Sequence, residues 1–151
     1  MKNIIAVIIV LSILISISGI ILNFSEFLMG SPATIKNVVV TFTYLTMWIS
    51  ISIISVVAKA KGVIQYCCVF WAINLLLGIL SYANFIDIPV SGALALPFGI
   101  LFFGQLYGIR YFARNYIAFS IVVIFIALVM FLITFTTLKS LKQDKVSSIS
   151  N

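Results

Sequence analysis

Any chemistry performed by this chain would have to come from very few side chains. Three carboxylates are present (Glu26, Asp87 and Asp144), the only thiols are the adjacent Cys67 and Cys68, and there is no histidine. Without histidine there is no zinc-protease motif and no Ser-His or Cys-His pair. The acids fall outside or at the edges of the long apolar runs, so no pair of carboxylates sits within one for aspartyl proteolysis or glycosyl transfer. Neighbouring cysteines would make a strained bridge rather than a disulfide framework. Lys61 is the one basic group near enough to favour a thiolate, and small apolar packing is the preferred reading of both cysteines. No catalytic, cofactor-binding or metal-ligating residue is assigned, and the chain is read as non-enzymatic. Proton-coupled transport is disfavoured on the same ground, because no ionisable side chain lies inside an apolar run.

What remains are uncharged polar groups within apolar stretches. Thr43, Thr46 and Ser50 recur at three- and four-residue spacing, which puts them on one face of a helix. That face either lines a solute path or bonds back to carbonyls one turn earlier, and back-bonding is preferred. Asn74 falls mid-run with Trp71, Gly78 and Ser81 on its face; an interhelical hydrogen bond is the preferred use, a ligand contact the other. Gln105 lies between Gly104 and Gly108, a GxxxG spacing that would bring helices close. Pro97 interrupts the same run and denies a bond to the Ala93 carbonyl, so a helix there would kink. Ser12, Ser16 and Gly19 form a small-residue face near the N-terminus. Trp48 sits too deep for the interfacial belt, so its indole is expected to face other helices.

These residues must be positioned by membrane helices. Of 151 residues, 64% are apolar and 8% charged, and the mean hydropathy is +1.31. A soluble domain carries roughly 25% charged residues, so this chain takes lipid as its solvent, and the bilayer is its first partner. The net charge of +6 comes from basic residues at the ends of runs, where Lys59, Lys61, Arg110 and Arg114 would anchor helices at anionic head groups. No basic cluster is long enough to follow a phosphate backbone, and nucleic acid is not expected as a partner.

The predicted fold is all-α and transmembrane, a single domain over residues 1–138. Five spanning helices are expected at about 3–25, 37–58, 63–84, 88–109 and 117–138, followed by a polar basic tail over 139–151. The first run exceeds the h-region of a signal peptide and is taken as a retained span. Gly30 suits a helix C′ position, Ser31 an N-cap and Pro32 the first turn of the second helix, while Gly62 would close that helix. Asp87 would cap the fourth helix, with Pro89 in its first turn.

The run 88–109 decides the topology. At 1.5 Å per residue its 22 uncharged residues reach roughly 33 Å, enough to cross a core of about 30 Å. The charge rule points elsewhere. Five spans place five basic residues inside against four outside. Four spans plus a re-entrant segment place six inside (Lys2, Lys59, Lys61, Lys139, Lys142, Lys145) against three (Lys36, Arg110, Arg114). Length favours five spans, with four and a re-entrant 88–109 as the alternative. The N-terminus is expected in the cytoplasm of a cell membrane, and the Ile-, Lys-, Asn- and Phe-rich usage points to an AT-rich bacterial genome.

Two functional classes follow. The first is an accessory, regulatory or immunity-type component that binds another membrane protein or a second copy of itself. The second is a small transporter or channel subunit in which a Pro97-broken helix lines a path with Asn74 and Gln105.

Overall fold

A backbone surrounded by lipid must satisfy its amides within its own helix, and the longest apolar stretches of this chain do so. The computed structural model describes residues 2–84, 99–113 and 115–147. Four long helices are present: α1 (Lys2–Met29), α2 (Ile35–Val57), α3 (Lys61–Asn84) and α4 (Tyr116–Ser147). Each is long and apolar enough to cross a membrane, over Ile5–Leu28, Ile35–Val57, Lys61–Ala83 and Tyr116–Leu141. They correspond to four of the five expected spans. Among the described residues there is no strand.

The remaining run, 88–109, differs from a straight fifth span where it is described. Residues 99–103 make a helical turn, and Gly104–Tyr111 is a 3-10 helix. Residues 88–98, with Pro97, lie outside the described residues, as do Asp87 and Arg114. The described part enters the bundle and comes back. Gly99 approaches Phe27, Gln105 reaches Gly19 deeper along α1, and Tyr107 returns to the Ser31 carbonyl. Gly19 lies about 15 Å before the end of α1 at the rise of an α-helix. The helices flanking this connection meet the same end of the bundle: the Tyr116 hydroxyl at the start of α4 faces Gly30, at the α1–α2 turn.

The helix ends follow capping chemistry, with two departures from expectation. Gly30 has φ +62 and takes the C′ position of α1; Ser31 N–H donates to the Glu26 carbonyl at 3.0 Å and Gly30 N–H to Phe27 at 3.3 Å. That is a Schellman motif, as the glycine predicts. The next helix, however, starts at Ile35 with Thr34 as N-cap. Ser31 is therefore not the cap, and Pro32 stays in the connector. The reason is Asn37, whose Oδ1 accepts from the Thr34 backbone N–H at 2.7 Å and the Thr34 hydroxyl at 2.8 Å. This is the reciprocal half of a capping box.

At the other end of α2, Gly62 is not the cap either, because it already lies in the first turn of α3. Lys59 occupies the left-handed position, with φ 49. Its N–H donates to Val56 and that of Ala60 to Ser55, both at 3.0 Å, which again is the Schellman pattern. A non-glycine residue there costs about 1–2 kcal/mol, more than the roughly 0.4–1 kcal/mol of unfolded-state entropy a glycine adds. Lys59→Gly is therefore expected to stabilise the protein by about 0.5–1 kcal/mol, read as a higher unfolding temperature in detergent micelles.

The core draws on all four long helices and the 3-10 helix, with an aromatic cluster where α2 meets α3. Trp48 and Trp71 are fully buried. Trp48 stacks on Phe70 with centroids 4.2 Å apart and meets Trp71 edge to face at 5.6 Å. Trp48 thus faces other helices as its depth predicts, but its indole N–H has no hydrogen-bond acceptor and is enclosed by rings. Cys67 and Cys68 are buried free thiols in the same helix. On α3, Gly78 admits α4 closely: a Cβ there would stand 2.9 Å from Ile124 Cγ1.

Candidate functional site

The polar residues that converge are those seating the 3-10 helix between α1 and α2. Along α1, Ser12, Gly19 and Asn23 are buried with Ser16 half-buried, so the small-residue face is real and runs one turn further than its glycine. On α2 the buried polar face is Asn37, Thr41 and Tyr44, leading to Trp48. These are i, i+4, i+7 and i+11 positions, which share one side of a helix.

The 3-10 helix is held between these two faces by side chains bonding its backbone. Asn23 Nδ2 donates to the Gly104 carbonyl at 2.9 Å, and Asn37 Nδ2 donates to Asn23 Oδ1 at 3.0 Å. Thr41 has two roles: its hydroxyl donates to the Gln105 carbonyl at 2.8 Å and accepts from the Gly108 N–H at 2.9 Å. Gln105 Nε2 donates to the Tyr44 hydroxyl at 3.2 Å, and the Tyr107 hydroxyl donates to the Ser31 carbonyl. Asn23, Asn37, Thr41 and Gln105 are all essentially inaccessible to solvent. Irregular backbone at membrane depth is tolerated only when buried in protein that satisfies its polar groups, and these side chains supply that cover.

Two glycines differ sharply in this seat. A Cβ on Gly108 would overlap the Asn37 carbonyl and crowd the Thr41 hydroxyl, whereas one on Gly104 would meet nothing within 4 Å. The expected GxxxG face therefore does not form. It presumes an α-helix, in which residues four apart share a side; with 3.0 residues per turn, four residues advance a third of a turn past alignment. Gly19 completes the fit, since a Cβ there would stand 3.0 Å from Gln105 Cβ.

Other residues singled out from the sequence lie elsewhere. Thr43 and Thr46 are exposed on the outside of the bundle and Ser50 is half-buried. Thr46 donates to the Phe42 carbonyl and Ser50 to that of Thr46, both at 2.8 Å, which is the back-bonding that lets hydroxyls face lipid. They do not join the seat. Asn74 is fully buried but makes no interhelical bond among the described residues: Nδ2 donates to the Phe70 carbonyl one turn back at 2.9 Å, and Oδ1 has no donor there. Lys59 and Lys61 are exposed where α2 meets α3. Arg110 is half-buried, its guanidinium 3.8 Å from the centroid of the Tyr116 ring.

Asn23, Asn37, Thr41 and Tyr44 are the functional-site residues that the apolar pattern does not announce. The signal for Asn23 is its place four residues after Gly19, continuing the 12, 16, 19 spacing. Among the described residues no cluster of His, Cys, Asp or Glu could hold a metal ion. No known protein family, curated protein or solved structure matches the chain.

Proposed function

We propose that this is a non-catalytic, multi-pass cell-membrane protein, bacterial in origin, that acts as an interaction component for another membrane protein. The observation that carries this reading is the use made of the buried polar side chains. Asn23, Asn37, Thr41 and Gln105 bond one another and the backbone of a single short segment, which fixes a platform at one end of the bundle. Around that end Met29, Ile35, Tyr111 and Phe112 are exposed, offering apolar and aromatic contact area near the interface. Affinity capture in mild detergent tests the reading. A stoichiometric membrane protein lost on Phe112→Ala is expected, and the absence of any partner would sink it.

The topology that belongs with this reading is four spans and a re-entrant segment, with both termini in the cytoplasm. Its support is the return of Tyr107 to Ser31 and the meeting of Tyr116 with Gly30 at one end of the bundle. This arrangement gathers Lys2, Lys59, Lys61, Lys139, Lys142 and Lys145 at the opposite end, the stronger positive-inside distribution. A fluorescent reporter fused after Asn151 is expected to light up and a periplasmic phosphatase fusion to stay silent. The reverse pattern would restore five spans.

One observation favours the solute-path alternative: Gln105 Oε1 is buried with no hydrogen-bond donor, as an oxygen awaiting a solute would be. Proteoliposome flux across a panel of ions and small solutes decides it. A rate above empty vesicles that Gln105→Leu removes would replace the interaction reading.

A further inference from the structure

A second feature lies on the outer side of the 3-10 helix. A groove of about 410 Å³ separates α2 from α4. Phe42 and Leu45 form one wall, Ala118, Val122 and Ile126 the other, and Ile109 closes part of its floor. Leu45 follows Thr41 by one turn, and the α4 residues are spaced by four, so both walls run along their helices. From Ala118 to Ile126, the lining on α4 rises about 12 Å, well under half the roughly 30 Å of a bilayer's hydrocarbon core. The groove therefore lies within one leaflet. A partner helix crossing the membrane would need a seat more than twice as deep.

At its shallow end stands Arg110, next in sequence to Ile109. Its guanidinium rests on the Tyr116 ring, and Nε and Nη1 are covered without a hydrogen-bond acceptor. No carboxylate among the described residues meets it. Glu26 is paired with Lys36, and Asp144 lies toward the far end of α4. A half-buried cation without a counter-charge is costly, and a head-group phosphate at the accessible edge of the guanidinium would supply that charge.

We propose that the α2–α4 groove holds one acyl chain of an anionic glycerophospholipid whose phosphate is bound at Arg110. The apolar walls accommodate the chain, their shortness disfavours a crossing helix, and the Arg110 charge, which no carboxylate among the described residues meets, selects an anionic head group over a zwitterionic one. Thr41 at the groove wall is already engaged by Gln105 and Gly108, so specificity rests on Arg110 rather than on the wall.

The test is native mass spectrometry of the full chain released from nanodiscs containing equal phosphatidylglycerol and phosphatidylcholine. One retained phosphatidylglycerol is expected. Arg110→Gln should reduce its preference over phosphatidylcholine about five-fold, the effect of one basic side chain near an anionic surface. Val122→Trp, which fills the groove, should abolish retention of both lipids. Ala118→Leu provides the same reading if the tryptophan variant does not fold. Equal retention of the two lipids by the unaltered protein would overturn the proposal, as would retention unchanged by both substitutions. Thermal stabilisation by inorganic phosphate equal to that by phosphatidylglycerol would reduce the site to a free-anion site. A disulfide-linked dimer through Val122→Cys in the membrane would assign the groove to a second copy instead.

Discussion

Gly108→Ala is expected to destabilise the protein by about 3 kcal/mol, at the upper end of overpacking effects, while Gly104→Ala stays within about 1 kcal/mol of the parent or slightly above it. The two glycines are four residues apart in one short segment, yet only Gly108 lies against α2. A methyl group there would meet the Asn37 carbonyl oxygen and carbon and the Thr41 hydroxyl. The first two are backbone atoms of a spanning helix and cannot rotate aside. The third is the group that accepts from the Gly108 N–H, so relief of the clash breaks the seat itself. Gly104 has open space and no positive φ to preserve. If 88–109 were a regular spanning helix packed through a GxxxG face, both substitutions would cost about the same. Equal losses, measured by SDS titration in mixed micelles, would therefore overturn the 3-10 geometry, and a large gap between the two would support it.

The long helices were legible because lipid leaves one solution for extended apolar sequence. Lengths near 20 residues and charge-free interiors place α1, α2, α3 and α4 without any tertiary knowledge. Gly30 was legible for a similarly local reason, since a helix C′ position needs left-handed backbone. Lys59 was not, because nothing local favours lysine with φ 49 over Gly62 three residues later. The short connection to α3 decides that position, and connection geometry is a tertiary property.

The seat was hidden by the way hydropathy marks boundaries. Asn23 and Asn37 stand at the ends of the expected spans 3–25 and 37–58, beside the polar α1–α2 connection, where hydropathy names no partner for either. They are inside helices because each finds the other, and a satisfied amide behaves within a bundle much like an apolar one. The hydroxyls misled in the opposite sense. Thr43, Thr46 and Ser50 make a regular face, but back-bonding lets that face meet lipid at little cost, whereas Thr41, outside the pattern, bonds across elements. Asn74 likewise looked interhelical and bonds its own turn. Residue type alone does not separate these cases; the partner does.

Breaking the Asn23–Asn37 pair is the second large effect expected. Asn23→Ala removes the donor to the Gly104 carbonyl and the acceptor for Asn37 Nδ2. Hydrogen bonds between membrane helices average only about 0.6 kcal/mol, because the unfolded state in the membrane also finds partners. A buried group left without any partner costs about 1–3 kcal/mol; this substitution strands the Asn37 amide and takes from the Gly104 carbonyl its bond outside the 3-10 helix. The second effect dominates, so a loss of about 2 kcal/mol is expected for Asn23→Ala. Asn37→Ala should cost at least as much, because Asn37 Oδ1 also accepts from Thr34 at the start of α2. The double variant should fall short of the sum by about 1 kcal/mol, the mark of a direct pair. Additivity within about 0.3 kcal/mol would show that the two amides act independently. Hydrogen exchange gives a local reading of the same cycle. In Asn23→Ala the Gly108 amide, held by Thr41 in the parent, should exchange faster while amides in the middle of α3 do not. Protection unchanged at Gly108 would mean that Thr41 alone seats the segment, and the chain from Thr34 through Asn37 to Asn23 would then serve only to join α1 to α2.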